Sequence, residues 1–102
     1  MGTAQNVKSF IDCNIYRKIN AELVAEKFRF SVSQLSRLFK REYGATVYNY
    51  ILEQKIATAE KLLQNSSLTV KQIADMLNFT DEHYFCNIFK KKRGVTPGRI
   101  RK

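Results

Sequence analysis

The sequence has few of the residues that mark metal sites, disulfide frameworks or irregular loops. Its 102 residues include two cysteines, one histidine, one proline, four glycines and no tryptophan. Cys13 and Cys86 lie far apart with no Cys-x-x-Cys or Cys/His cluster, so a zinc site has no support and a reduced, cytoplasmic setting is favoured. No run approaches the ~18 apolar residues of a membrane span. The shortage of glycine and proline favours helices joined by short turns.

Catalytic constellations are also missing from the sequence. It has no nucleophile–base pair, no metal cluster and no phosphate-binding glycine loop, and the single histidine, His83, has no partner for acid–base work. DNA-repair methyl transfer is the closest enzymatic idea, but Cys13 lacks the flanking metal ligands that it needs. We therefore predict that the chain is not an enzyme and uses no cofactor or metal.

Positive charge is present in excess. Lys and Arg number 18 against nine Asp and Glu, which gives a formal net charge of +9, and 44% of the residues are apolar. The apolar fraction supplies a core for one compact domain. The charge favours a polyanionic partner, either nucleic acid or a membrane surface, although a merely soluble basic protein would also show it.

The sequence contains an internal repeat with a period of 49 to 50 residues. The apolar helix face of residues 21–28 returns in residues 70–77, and the offset then increases by one. The pairs at the offset of 50 are Leu35/Phe85, Leu38/Ile88, Phe39/Phe89, Lys40/Lys90, Gly44/Gly94 and Thr46/Thr96. Chance apolar periodicity rarely carries lysine, glycine and threonine along with it, so a duplicated supersecondary unit is predicted.

Each copy is predicted to be a helix, a three- to four-residue turn and a second helix, over residues 20–43 and 69–93. Ser31 followed by Gln34 resembles a capping box at the start of the second helix. Thr80 or Asp81 takes that place in the second copy.

The turns between the paired helices are expected to differ. Asn78 tolerates the left-handed conformation, whereas Arg29 at the corresponding position is a poorer choice. Gly44 and Gly94 are expected to end the second helices with positive φ.

A single connecting helix is predicted between the two copies. Residues 47–64 contain neither glycine nor proline, and 48–64 is assigned to this helix. Its predicted apolar face consists of Tyr48, Leu52, Ile56, Ala59 and Leu63. Residues 1–47 then hold an amphipathic N-terminal helix and the first unit, and 65–102 hold the second unit and a tail. The predicted fold is all-α and homeodomain-like, with about seven helices.

A helix pair with a tight turn is typical of DNA-reading domains, in which the second helix enters the major groove. With Leu35, Leu38 and Phe39 assigned to the core, Arg37 is predicted to read guanine and Gln34 adenine. On the second helix of the second unit, Asn87 is predicted to read adenine and Glu82 cytosine. Ser33, Ser36 and His83 are also predicted to face bases, since the core does not use them.

Basic residues one turn later on each second helix are predicted to contact phosphates. Lys40 and Arg41 take this role in the first unit. The run 90–93 is either a solvated face or a phosphate contact, and Lys90 and Lys91 are assigned to phosphate.

The residues resemble those of a known family, the AraC/XylS regulators of bacterial transcription. The stretch from Ile73 to Pro97 contains IA, an NF where the family has GF, then YF, FK and GxTP, in the family's order. Leu35-Ser-Arg-Leu-Phe-Lys40 and the later Tyr50-Ile51 and Leu62-Leu63 also match. The resemblance extends over nearly the whole chain.

This resemblance implies seven helices, two recognition helices in neighbouring major grooves, and an activator that contacts RNA polymerase. Family base-contacting positions fall on Ser33, Ser36, Arg37, Glu82, His83 and Asn87. Family members usually have glycine at 78, arginine at 55 and 87, and tyrosine at 100. Asn87 therefore weakens the expectation that the second unit reads bases. Full-length members often add an N-terminal effector or dimerisation domain, so the chain is expected to be a fragment, monomeric by itself and dimeric when complete.

Two units in tandem on one chain predict the shape of the DNA site. Recognition helices on one face of B-DNA are about 34 Å apart, one helical turn, which predicts an asymmetric site of about 20 base pairs. The alternative function is a basic helical module that binds and modulates another regulator. Salt titration of DNA binding separates the two.

Overall fold

The computed structural model describes residues 3–101, which form seven helices and no strands. The all-α architecture with about seven helices is thus confirmed. The helices are α1 (Thr3–Cys13), α2 (Ala21–Lys27), α3 (Val32–Tyr43), α4 (Val47–Asn65), α5 (Val70–Met76), α6 (Glu82–Arg93) and α7 (Pro97–Arg101).

The chain divides into two compact units between Gln54 and Lys55, inside α4. This helix is continuous over 19 residues, or about 28 Å at 1.5 Å per residue. One helix–turn–helix pair, α2–α3, belongs to the first unit, and the other, α5–α6, belongs to the second.

The turns of the two helix pairs have the same shape, which contradicts the expectation that Arg29 would change the first one. Arg29 and Asn78 both have φ of 64°. In the first turn the N–H of Phe30 donates to the carbonyl of Ala25 at 2.9 Å, and the second turn repeats this bond at 3.0 Å. The N–H groups of Arg29 and Asn78 each donate three residues back at 3.1 Å. These two bonds define a Schellman motif, and they hold Arg29 in a conformation that its own preference disfavours.

The helix starts are capped by side chains from the residue just before each helix. Ser31 and Gln34 form the predicted capping box of α3, and Thr69 and Gln72 form a second one on α5 that the sequence analysis missed. In the second unit Asp81, and not Thr80, caps α6 by accepting from the N–H of Tyr84 at 2.7 Å.

Each unit has its own hydrophobic core. In the first unit, Phe39 is fully buried and its ring lies 5.2 Å from that of Tyr50. The rest of this core comes from all four helices and the loop after α1: Val7, Ile11, Ile15, Val24, Ala25, Leu35, Val47 and Ile51. The predicted N-terminal amphipathic helix therefore packs on the first unit.

Aromatic rings of α6 form the centre of the second core. Phe85 and Phe89 are fully buried, with ring centroids 5.8 Å apart, and the ring of Phe79 lies 5.0 Å from that of Phe85. The buried aliphatic residues of this unit are Ile56, Ala59, Leu63, Ile73, Ala74 and Leu77.

The predicted face of α4 is wrong at its first position. Tyr48 is 55% exposed, whereas Val47 is fully buried. Buried residues then recur every four positions along the helix, at Ile51, Lys55, Ala59 and Leu63, with Ile56 beside them.

Polar contacts fasten the terminal helices to the cores. Tyr50 donates its hydroxyl to Asp12 Oδ1 at 2.6 Å, and Lys8 lies 3.3 Å from the other oxygen of that carboxylate, so α1 is tied to α4. Burial, and then the bond to Asp12, raise the pKa of Tyr50. In the second unit Arg101 donates to the carbonyls of Leu63 and Ser66 at 3.2 and 3.1 Å, which caps the end of α4.

Lys55 is the buried charged residue of the described chain, and desolvation lowers its pKa from 10.5 to about 8. Below pH 8 both the folded and the unfolded chain hold the proton. Between pH 8 and 10.5 only the unfolded chain holds it, so the contribution of Lys55 to the free energy of unfolding is expected to rise with pH in that window. Urea unfolding at a series of pH values measures this slope.

Lys55→Met should flatten that slope, whereas Lys61→Met changes an exposed lysine of the same helix and should leave it unchanged. The quantity to compare is the free energy of unfolding of the wild type minus that of Lys55→Met. If this difference is constant or falls from pH 8 to 10.5, the prediction is contradicted.

Candidate nucleic-acid interface

Helix α3 separates cleanly into a core face and an open face. Leu35 and Phe39 are buried and Leu38 is half-buried, as the repeat predicts. Five of the residues that the sequence assigns to DNA on this helix are exposed: Ser33, Gln34, Arg37, Lys40 and Arg41. The sixth, Ser36, is half-buried. The positions i and i+4 lie one above the other on a helix, so Ser33 and Arg37 share one stripe.

A shallow concavity on this open face is lined by Gln34, Arg37, Leu38 and Arg41. It thus brings together two predicted base-reading residues and one predicted phosphate contact. Gln34 is fixed there by the capping box, because its Oε1 accepts from the N–H of Ser31 at 3.1 Å.

Helix α6 repeats the arrangement with different chemistry. Its predicted base-reading residues Glu82, His83 and Asn87 are exposed, and Ile88 is half-buried beside the buried aromatic rings. A second concavity is lined by Asp81, Glu82, His83, Cys86 and Lys71, and does not include Asn87. Lys71 comes from α5 and was missed, because an exposed lysine on a first helix has no distinguishing pattern in the sequence.

Cys86 lies on this open face but is half-buried. Burial, and then the charge of Glu82, raise the pKa of its thiol. The thiolate is the reactive form, so the raised pKa favours an unreactive helix residue at Cys86 over a redox switch.

The structure separates the four basic residues at the end of α6 into two groups. Lys90 and Lys91 are exposed, whereas Lys92 is half-buried. Arg93 donates from Nε to Glu60 Oε1 at 2.9 Å, which ties α6 to α4 within the second unit. A contact between residues 33 positions apart has no local signal in the sequence. Lys90 and Lys91 thus remain the members of this run with open side chains.

Charge is unevenly shared between the two units. Residues 1–54 have eight Lys and Arg against five Asp and Glu, and residues 55–102 have ten against four. The second helices of the two pairs both end in basic residues, but α6 has an acidic residue, Glu82, in its first turn, whereas α3 has none there.

No metal-binding group is found in the structure as far as it is described. Within residues 3–101 there is no set of three or more His, Cys, Asp and Glu side chains placed to hold an ion. In the same range, no helix has both the length and the apolar character required to cross a membrane.

Comparison with known protein sequences gives a family. A family profile described as a helix-turn-helix domain matches residues 24–102. The uncharacterized HTH-type transcriptional regulator YfiF of Bacillus subtilis is 36% identical over 95 residues, which are 93% of this chain and 30% of that protein. The chain therefore spans about a third of the length of this curated relative.

Solved structures show the same fold. An AraC-type DNA-binding domain-containing transcriptional regulator from Chromobacterium violaceum has a TM-score of 0.86 and 28% identity, with 96% of this chain and 88% of that one covered. The DNA-binding domain of the global transcriptional factor AdpA, solved with a target DNA, has a TM-score of 0.91 and 19% identity, covering 99% and 91%. The profile match, the relative and the shared fold together show that this chain belongs to the AraC-type helix-turn-helix family of transcription-regulator DNA-binding domains.

Proposed function

We propose that this chain binds double-stranded DNA sequence-specifically, with α3 and α6 in two successive major grooves. The observation that carries the proposal is the pair of equivalent helices, each with a buried apolar side and an exposed polar side, in a chain of this family. A helix of this kind reads bases from its N-terminal half.

The roles of the side chains follow from their chemistry. Arg37 is proposed to pair with guanine through two N–H groups, since its fork matches guanine N7 and O6. In the second unit Glu82 accepts from cytosine, Asn87 pairs with adenine and His83 faces the groove. Ser33, Gln34 and Ser36 complete the base-facing set.

Phosphate contacts are proposed for the basic residues further along each helix. Lys40 and Arg41 on α3, and Lys90 and Lys91 on α6, are exposed. These contacts position the helices without reading sequence. AdpA, which shares the fold, was solved with its target DNA, and this supports the assignment of DNA as the partner.

The site is proposed to be asymmetric and about 20 base pairs long, because two unlike readers on one chain each cover one turn of the duplex. The whole protein is proposed to be a cytoplasmic bacterial activator that contacts RNA polymerase and is not an enzyme. The isolated chain is proposed to be a monomer, and a domain outside it to dimerise the complete protein.

Selection of bound sequences from a random DNA pool, followed by a mobility-shift titration in salt, tests the proposal. The expected result is one asymmetric motif and an affinity that falls steeply as salt increases. The alternative, a basic module that binds another regulator, predicts no enriched motif. A pool without enrichment therefore overturns sequence-specific DNA binding.

Lys91→Ala is expected to reduce the slope of log K against log salt by about one, because one phosphate contact and its released counterion are lost. Sequence preference should be unchanged, since a phosphate carries no base information. Fluorescence anisotropy at several salt concentrations measures the slope.

The matched control is Lys61→Ala, which removes an exposed lysine from α4 in the same unit and leaves α6 intact. An unchanged slope in Lys91→Ala, or an equal decrease in Lys61→Ala, assigns Lys91 to the solvated surface.

A further inference from the structure

The side chain of Gln34 lies both in the cap of α3 and on its open face. Its Oε1 accepts from the backbone N–H of Ser31 at 3.1 Å, while the backbone N–H of Gln34 donates to Ser31 Oγ at 3.1 Å. A carboxamide is planar, with the oxygen and the NH₂ group on opposite sides of Cδ. Because the oxygen is turned back toward the helix start, the NH₂ group with its two donors is the part left for a ligand.

The other polar groups of the same concavity are also donors. Arg37 and Arg41 line it together with Gln34 and the apolar Leu38. A guanidinium has five N–H donors and no acceptor. The concavity therefore offers hydrogen-bond donors from three side chains, and the amide oxygen that could act as an acceptor is engaged in the cap.

We infer that Gln34 rejects cytosine at the base pair next to the guanine read by Arg37, while guanine, thymine and adenine are accepted there. The inference rests on the proposed entry of α3 into the major groove. There, guanine O6 and N7, thymine O4 and adenine N7 are acceptors, whereas cytosine offers only the N4 donor. Two donors that face each other leave both groups unpaired, so cytosine is rejected at this position.

This inference broadens the adenine assignment that the residue type alone suggests. The bidentate pair of glutamine with adenine needs the amide oxygen to accept from adenine N6. In this chain that acceptance competes with the cap, since turning the oxygen toward the base removes the acceptor from the N–H of Ser31. The restriction is confined to the first unit, because Tyr84 stands at the corresponding position of α6 and Asp81 caps that helix by itself.

Gln34→Glu reverses the polarity of this position and keeps the cap. Glutamate is favoured at the third helical position, where its carboxylate continues to accept from the N–H of Ser31. The second oxygen now faces the groove as an acceptor in place of the NH₂ donors. We expect cytosine, which the wild type rejects, to become the preferred base, with the ratio of the affinities for cytosine and guanine at that base pair changing about tenfold.

The measurement is fluorescence anisotropy with duplexes that carry each single base-pair change across the selected site. The position is located as the neighbour of the base pair at which Arg37→Ala loses discrimination. A general loss of affinity from the added negative charge is common to all duplexes, so it cancels in the ratio.

Gln72→Glu is the matched control. Gln72 has the same place in the capping box of α5, where its Oε1 accepts from the N–H of Thr69 at 2.8 Å, but α5 is not a recognition helix. It adds the same charge and should leave every base preference unchanged.

Three results overturn the inference: a uniform loss in Gln34→Glu with unchanged preference, a wild-type preference for cytosine beside the base pair read by Arg37, or an equal change in Gln72→Glu. A wild-type chain with no preference at any base pair overturns the proposed function itself. The two failures are therefore distinguishable.

Discussion

Phe89→Ala is expected to lower the free energy of unfolding of the second unit by about 3–5 kcal/mol. The ring is fully buried and stacks edge-to-face against Phe85 at 5.8 Å, so its removal leaves a cavity among side chains from several helices. A loss of this size is a large fraction of the roughly 5–15 kcal/mol that stabilises a small domain. Urea unfolding followed by circular dichroism measures it.

The same variant separates the roles of the two units on DNA. Each unit has its own core, so the loss of Phe89 should remove protection from the half-site bound by α6 and retain protection of the half-site bound by α3. Footprinting of the selected site shows this at a temperature at which the second unit of the variant is unfolded and the first unit is still folded. Phe39→Ala, at the equivalent position of the first unit, is the matched control and should give the opposite pattern.

Two outcomes contradict this account of the cores. A loss below about 1 kcal/mol in Phe89→Ala means that the ring is not packed as described. A simultaneous loss of both halves of the footprint in Phe89→Ala and in Phe39→Ala means that the two cores are not separate.

The helix boundaries and caps could be predicted because their signals are local. Ser31 and Gln34 lie three residues apart and define a helix start without any tertiary contact. Gly44 and Gly94 end α3 and α6 with φ of 78° and 81°, as the turn chemistry requires. The repeat then transferred each local prediction from one unit to the other.

The predicted face of α4 was wrong because one member of the buried row is a lysine. Buried positions recur every four residues from Val47 to Leu63, and Lys55 stands in the middle of that row. A search for apolar residues passes over a lysine, so the predicted face began at Tyr48, one position too late. A buried lysine is an exception that only the packed structure reveals.

The turn at Arg29 shows the limit of residue preferences. Arginine in the left-handed region costs about 1–2 kcal/mol, and this favoured a different shape for the first turn. The two Schellman hydrogen bonds and the half-buried Phe30 offset that cost. The preference of the single residue was therefore outweighed by the hydrogen bonds at the end of α2 and by the burial of Phe30.

The candidate site was predicted by elimination, which identifies open side chains but not their bonding state. Arg37, Lys40 and Lys91 are open because the core takes the intervening positions. The residue types, however, do not show that Arg93 is already paired with Glu60, or that the oxygen of Gln34 is engaged by Ser31. Those facts depend on the contacts of each group in the fold.

Arg37→Ala is expected to weaken binding to the preferred sequence by about 1–3 kcal/mol and to abolish discrimination at one base pair. The side chain is exposed in the middle of α3 and lines its concavity, so it is free to lie against a base edge. Anisotropy titrations with the preferred duplex and with the three duplexes changed at that base pair measure both effects.

Arg37→Lys distinguishes base reading from simple attraction. Lysine keeps the positive charge but lacks the planar fork that bonds guanine N7 and O6 together. If Arg37 reads guanine, both variants lose discrimination at the same base pair and keep the salt slope of the wild type. If Arg37 contacts a phosphate, the lysine variant binds like the wild type, and the alanine variant weakens all sequences equally and reduces the salt slope. The comparison is decisive because both variants remove the planar guanidinium, whereas only Arg37→Ala removes the positive charge.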